Sequence, residues 1–171
     1  MSVKPQALDG ASLKGQRLVL VENGAIMPAW NEILLPTPWQ NSVILYRGHR
    51  ENVAEVQRIV ADHPAHKLAL YYDFDPEGID LALRWGKGVI LIPEDWHQVG
   101  QVEITEHQGI SQRSVFRQQQ ARLTRTRGIV AGTMWESVLK VMEQNELAIM
   151  QEHLTQRRWP LTQLPSIDTG S

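Results

Sequence analysis

Four short apolar runs divide the first half of the chain into regular segments. The runs are residues 18–21, 43–46, 68–72 and 89–92. Each is continuous rather than alternating, as is typical of strands that are buried on both faces of a sheet. Apolar residues at helical spacing between the runs predict helices at 25–35, 51–61 and 79–85. Strands that alternate with helices predict an α/β fold with a mostly parallel, four-stranded sheet between helices.

The apolar pattern changes in the second half of the chain. Residues 102–105 predict a short strand, and residues 111–126 predict a helix rich in glutamine and arginine. Thr133 and Glu136 have the spacing of a capping box, which marks the start of a helix. The apolar stripe that follows predicts one long helix to about Gln156.

These elements predict a single domain with four parts. The parts are an N-terminal lead-in (1–16), an α/β core (17–96), a C-terminal helical extension of the same domain (97–157) and a tail (158–171). A chain of 171 residues is long enough to bury a core of this kind.

Composition excludes several classes of function. The chain has no cysteine, which excludes disulfide scaffolds, thiol catalysis and cysteine-ligated metal sites. No apolar run approaches the ~20 residues of a membrane span, and the N-terminus lacks the apolar core of a signal peptide. We therefore expect a cytoplasmic protein. A net charge of −2 excludes a uniformly basic nucleic-acid binder but leaves local basic patches open.

Acidic residues cluster where the predicted first and third strands end. Asp73 and Asp75 follow the third strand, and Glu22 follows the first. If these strands are neighbours, the three carboxylates lie at one edge of the sheet, where parallel α/β sheets bind ligands. Such carboxylates can hold a divalent cation like Mg²⁺, which could orient a water for attack on a phosphate. The alternative is that each acid caps a helix or forms a turn.

Other residues near the same edge are weaker candidates. Glu94 and Asp95, after the fourth strand, could supply a second metal site or simply form a loop or cap. Arg47 and His49, after the second strand, could bind a phosphate, and so could the neighbouring Arg50. The alternative for this group is an ordinary surface turn.

A local excess of positive charge marks the helix predicted at 111–126. Between residues 107 and 135 there is no Asp or Glu, and there are five arginines, Arg113, Arg117, Arg122, Arg125 and Arg127. The first two are four residues apart and the next two are three apart, so each pair shares a helix face. This pattern is typical of a surface that holds a DNA backbone. A solvated helix face is the alternative.

Three of the acids named above, with one glycine, resemble the motif of the Toprim domain of topoisomerases, primases and several nucleases. Glu22 closes the first strand, and Asp73, Asp75 and Gly78 form D-x-D-x-x-G after a later strand. The fuller string Asp-Phe-Asp-Pro-Glu-Gly-Ile-Asp is similar to the variant in the type VI topoisomerase A subunit and in the nuclease subunit of the bacterial Wadjet plasmid-defence system. The polar pairs Glu143-Gln144 and Gln151-Glu152 are similar to pairs on the last helix of those nucleases.

The resemblance implies a Rossmann-like Toprim fold and cleavage of DNA phosphodiesters with Mg²⁺ or Mn²⁺ as cofactor. Asp73 and Asp75 would bind the metal, and Glu22 would be a further ligand or the general acid/base. The tyrosines Tyr46, Tyr71 and Tyr72 fall in predicted buried strands, so hydrolysis by water fits better than attack by a tyrosine.

The resemblance also implies partners. One expected partner is DNA. The other is a further copy of the chain or a larger SMC-like defence complex. The N-terminal dimerisation domains of the Wadjet nucleases have no counterpart here, so we expect an isolated domain, a truncated relative or a subunit.

Two rival functions stay open at this point. One is a Toprim-like module that binds DNA or a partner without cutting it. The other is a phosphatase of the haloacid dehalogenase type, which also uses D-x-D after a strand. That motif normally ends the first strand and continues with Thr or Val, whereas Pro76 follows here.

Overall fold

Strands and helices alternate in a computed structural model that describes residues 10–49, 52–99, 106–107 and 110–167. The strands are β1 (Leu18–Val21), β2 (Val43–Tyr46), β3 (Leu68–Tyr71), β4 (Val89–Pro93), β5 (Glu106–His107), β6 (Ile110–Ser111) and β7 (Leu161–Pro165). The α-helices are α1 (Gly10–Leu13), α2 (Val53–Asp62), α3 (Pro76–Leu83), α4 (Gln112–Val130), α5 (Met134–Gln144) and α6 (Gln151–Gln156). Short 3₁₀ helices cover Gly24–Glu32, Thr37–Trp39 and Ala65–Lys67. The strand predicted at 102–105 and the candidate Arg50 lie outside the described residues.

The main sheet has the strand order β2-β1-β3-β4-β7. The first four strands are parallel, with β1 paired to both β2 and β3. Every residue of β1 and β3 is buried, which explains their continuous apolar runs. The strand that follows β1 in the chain, β2, lies on one side of it, and the strand that follows β3, β4, lies on the other side. The direction of strand order therefore reverses between β1 and β3. The predicted α/β architecture is confirmed, and the first and third strands are neighbours, which was the condition for the acids to share one edge.

The sheet has five strands rather than the predicted four. The segment predicted as a tail contributes β7, which runs antiparallel to β4 from Leu161, opposite Pro93, to Pro165, opposite Val89. Two prolines, Pro160 and Pro165, made this segment look unstructured. Proline is compatible with the ends of a strand at the edge of a sheet, where its missing N–H removes no ladder hydrogen bond.

The long helix predicted from Thr133 is two helices. Helix α5 ends before Glu146, whose φ of 49° lies in the left-handed region. Ile149 then exchanges two backbone hydrogen bonds with Phe74, at 2.8 and 3.0 Å, before α6 begins. Both residues are buried, so the apolar stripe continues through the break and the periodicity does not reveal it.

The helices are all short or polar. No helix in the described part of the chain is long and apolar enough to cross a membrane. The segment predicted as a helix at 25–35 is the 3₁₀ helix Gly24–Glu32, which contains Pro28.

Candidate functional site

Glu22 and Asp73 meet at the carboxyl ends of β1 and β3. Oε2 of Glu22 accepts a hydrogen bond from the backbone N–H of Asp73, with an N···O distance of 3.3 Å. The backbone N–H of Glu22 donates to the carbonyl of Tyr71 at 3.1 Å, which extends the β1–β3 pairing. The two acids therefore lie at the switch point of the sheet, where crevices for ligands form in folds of this kind.

The contacts of Asp75 are those of a helix cap. It is the N-cap of α3, and its Oδ1 accepts from the backbone N–H of Gly78 at 2.6 Å. Its Oδ2 accepts from the side-chain amide of Gln119 on α4, at 3.0 Å. The side chain is buried. These contacts match the helix-cap alternative, and a role for Asp75 as a metal ligand stays a prediction.

Burial and mutual repulsion make these carboxylates hard to ionise. Burial, with the charge of Asp75 as the next cause, raises the pKa of Asp73 to about 8. Burial also raises the pKa of Glu22 and of Asp75, although the hydrogen bond from Gly78 to Asp75 opposes that change. The approach of a cation would relieve the repulsion among these carboxylates.

Gln151, the first residue of α6, joins both strand ends and is fully buried. Its backbone N–H donates to Oδ1 of Asp73 at 2.7 Å. Its side-chain amide donates to the carbonyl of Tyr71 at 2.6 Å and accepts from the backbone N–H of Asn23 at 2.9 Å. Next to it, Oε1 of Glu152 accepts from the side chain of Asn23 at 2.9 Å. The sequence indicated this residue only through the resemblance of the pair Gln151-Glu152 to polar pairs in related nucleases.

We expect Gln151→Ala to destabilise the protein by roughly 1–3 kcal/mol, because the backbone N–H of Asn23 loses its partner and the carbonyl of Tyr71 loses one of its two donors. Urea unfolding followed by circular dichroism measures this change. The matched control is Gln156→Ala, an exposed position of the same helix, which should shift the free energy of unfolding by less than about 0.5 kcal/mol. Equal effects of the two substitutions would contradict this role for Gln151.

Gly78 allows the start of α3 to pack directly on the backbone of Asp73. A Cβ atom at this position would lie 2.1 Å from the carbonyl oxygen of Asp73 and 2.9 Å from its carbonyl carbon. Both contacts are with backbone, which has no rotamer to relieve them. The motif therefore requires glycine at position 78, because a side chain there has no room beside the backbone of Asp73.

Arg47 lies at the side of the acidic pair. Its Nη1 is 3.8 Å from Oε1 of Glu22, and 42% of its side chain is exposed. His49 is exposed and makes an edge-on contact with the ring of Tyr46. Arg47 and His49 both line a cleft of about 660 Å³ between α2 and α3. Of these two predicted phosphate-binding residues, Arg47 lies beside Glu22.

All the residues named so far in this site fall within one family match. Residues 1–163 match the family described as a domain of unknown function (DUF7281). The chain belongs to the DUF7281 family. No curated protein and no solved structure matches this DUF7281 chain.

The arginines of α4 in this DUF7281 domain are paired with acids from other elements. The ion pairs are Arg113–Glu146 (3.5 Å), Arg117–Glu146 (3.1 Å), Arg122–Glu77 (3.2 Å), Arg125–Asp80 (2.7 Å) and Arg127–Glu143 (2.6 Å). The helix has no acid of its own, but its tertiary neighbours supply them. The basic stripe seen in the sequence is therefore largely compensated on the folded surface, and DNA binding by these arginines stays a prediction.

Asp80 is the centre of the interaction between α3 and α4. Its carboxylate is 4% exposed and lies 2.7 Å from both Arg84 and Arg125 and 3.5 Å from Arg122. The hydroxyl of Thr126 donates to its other oxygen at 3.2 Å. The buried carboxylate of Asp80 therefore joins α3 to α4. Gln119 of α4 also donates to Asp75, which caps α3.

Glu94 and Asp95 lie on an exposed turn that follows β4 in the DUF7281 domain. The backbone carbonyl of Asp95 accepts from the N–H groups of Gln98 and Val99. These contacts match the loop alternative, and a second metal site here stays a prediction. Tyr71 and Tyr72 are buried, as the sequence predicted, and burial raises the pKa of each hydroxyl.

The donor atoms of the site suit a hard divalent cation. No group of three or more His, Asp or Glu side chains in the described ranges is arranged to hold a metal. Mg²⁺ usually binds to one or two carboxylates and completes its coordination with water and substrate phosphates. The two acids at the strand ends are Asp73 and Glu22, whose carboxylate accepts from the backbone N–H of Asp73. Binding of Mg²⁺ or Mn²⁺ by these acids stays a prediction.

Proposed function

We propose that this DUF7281 domain is a Toprim-like nuclease that hydrolyses DNA phosphodiester bonds with Mg²⁺ or Mn²⁺. The observation that carries the proposal is the contact of Glu22 with Asp73 at the switch point of a parallel sheet. The D-x-D-x-x-G motif after β3 resembles the Toprim motif, and this resemblance is the reason for proposing DNA as the substrate.

The roles of the residues follow from their environments. Asp73 would hold the cation, and the N–H of Gln151 fixes the direction of its carboxylate. Glu22, whose pKa burial raises, would be a further ligand or the general acid/base. Arg47 is close enough to the acids to pair with a phosphate held there. When bound, the cation would lower the pKa of an attacking water and stabilise charge on the phosphate.

Asp75 has a supporting role in this proposal. It holds the β3–α3 turn through Gly78 and Gln119, and its charge raises the pKa of Asp73. A divalent cation would relieve that repulsion. We further propose that the domain acts in the cytoplasm, as a homodimer or within a larger defence complex, as the Toprim resemblance implies.

We expect the wild-type protein to nick and linearise supercoiled plasmid DNA with Mg²⁺ or Mn²⁺, and Asp73→Asn to lose this activity at least about 100-fold. Asparagine keeps the shape of the side chain and an acceptor for Gln151, so the loss reports the missing charge. Gel analysis of the plasmid forms over time measures both rates.

The matched control is Asp62→Asn, which removes an exposed carboxylate at the end of α2. Helix α2 runs back toward the amino ends of the strands, far from the acids. Equal cleavage by Asp73→Asn and the wild-type protein would contradict the proposal. Absence of cleavage by the wild-type protein would favour a binding module if Mn²⁺ still binds, and a phosphatase if an aryl phosphate is turned over.

A further inference from the structure

A cleft beside the acidic site has the dimensions of a small-ligand pocket. Its volume is about 660 Å³, within the range of pockets that enclose small molecules. It lies between α2 and α3 and is bounded at one end by the turn after β2. The lining residues are Arg47, Gly48, His49, Val53, Val56, Gln57, Ala61, Tyr72, Leu81, Arg84 and Trp85.

The cleft combines an apolar floor with a cationic rim. Val56 and Tyr72 are buried, and Trp85 is half-buried beside them. The indole N–H of Trp85 donates to the hydroxyl of Tyr72 at 2.9 Å, so the two aromatic side chains are held together. Arg47 and Arg84 are 42% and 56% exposed, and each is also paired with an acid outside the lining, Arg47 with Glu22 at 3.8 Å and Arg84 with Asp80 at 2.7 Å. The described residues that line the cleft include no carboxylate. This chemistry suits a ligand that has both a planar apolar part and negative charge.

The cleft and the acidic pair are continuous. Arg47 lines the cleft and lies 3.8 Å from Glu22. Tyr72, which forms part of the cleft floor, directly precedes Asp73, and the charges of Glu22 and Arg47 both act on the pKa of its hydroxyl. A ligand whose phosphate lies at Arg47 would therefore extend either toward the acids or into the cleft.

We propose that the cleft is a nucleotide pocket, which takes one unpaired nucleotide of the DNA strand. The base lies against Tyr72 and Trp85, and the phosphates lie at Arg47 and Arg84. The cleft has room for one nucleotide and not for a duplex, so the nucleotide enters unstacked from its neighbours. Aromatic side chains bind bases of any sequence in this way. The inference rests on the proposed function for its choice of DNA as the ligand.

Binding of a fluorescein-labelled single-stranded octathymidylate in EDTA tests the pocket without cleavage. Gln57→Trp adds bulk at an exposed position of the cleft wall, and Arg84→Gln removes one cation from the rim. We expect each to weaken binding about tenfold or more in fluorescence anisotropy. Ala54→Trp and Arg58→Gln are the matched controls on α2, exposed and outside the cleft, and should bind within about twofold of the wild-type protein.

Thymidine 5′-monophosphate and inorganic phosphate distinguish a nucleotide pocket from a simple anion site. We expect the nucleotide to displace the labelled strand at a concentration at which phosphate does not. The proposal is overturned if phosphate displaces the strand equally well, if the wild-type protein does not bind the strand, or if Gln57→Trp and Arg84→Gln bind like their controls. Because the assay contains no metal, a failure of plasmid cleavage with intact, cleft-dependent binding would refute the nuclease and leave the pocket standing.

Discussion

A Gly78→Ala protein is expected to lose roughly 3 kcal/mol of its free energy of unfolding, and with it the geometry of the acidic site. The added Cβ would lie 2.1 Å from the carbonyl oxygen of Asp73. Since the neighbouring atoms are backbone, the turn between β3 and α3 must shift as a whole. That shift breaks the hydrogen bond of 2.6 Å from Gly78 to Asp75 and moves Asp73 away from Glu22.

Chemical denaturation in urea measures the loss of stability, and plasmid cleavage measures the loss of geometry. Gly128→Ala is the matched control, since Gly128 lies within α4 and a Cβ there would meet no atom within 4 Å. Alanine favours helix over glycine by up to about 1 kcal/mol, so this control should be as stable as the wild-type protein or more so. A Gly78→Ala protein with the wild-type unfolding midpoint would show that the turn adapts without cost.

Without metal, the wild-type protein is expected to become less stable as the pH rises from about 4 to about 8, and Asp73→Asn should remove much of this trend. The pKa of Asp73 is 3.8 in its unperturbed state and about 8 in the folded protein. Between these values the folded state holds a proton that the unfolded state has released, so stability falls as the pH rises. The slope from one such group is at most about 1.4 kcal/mol per pH unit. Asp73 is partly exposed, and solvent screening makes the realised slope smaller.

Thermal and urea unfolding in EDTA between pH 5 and pH 9 test this expectation. Asp73→Asn should gain stability over the wild-type protein, and the gain should grow with pH and level off above pH 8. Asp62→Asn, on the far side of the sheet, should follow the wild-type curve. Parallel curves for the wild-type protein and Asp73→Asn would mean that Asp73 is ionised in the folded state at little cost.

Much of the core was predictable because its pattern is local. Continuous apolar runs identified β1 to β4 within a residue or two, since strands buried on both faces leave no polar positions to interpret. The position of Glu22 beside Asp73 followed from parallel strands that end at one edge. Asp75 was more ambiguous, because a carboxylate two residues after a strand serves equally well as a ligand or as a helix cap, and its contacts match the cap.

The features that the sequence did not predict depend on contacts between distant parts of the chain. Gln151 reaches Asp73 across 78 residues, and no local pattern marks a glutamine as the link between two strands. The sequence did not reveal the ion pairs of α4 for the same reason, since the acids come from α3, from α5 and from Glu146, two residues after α5. The residues of β7 were misjudged because strand pairing with β4, and not their own composition, makes them a strand.

The link between Asp73 and Gln151 also sets the order in which the site is completed during synthesis. Asp73 is synthesised 78 residues before Gln151, which directs its carboxylate. At ~5–20 residues per second, the acidic pair exists for several seconds before its last partner arrives. During that interval a nascent chain carries Asp73 without the residue that orients its carboxylate.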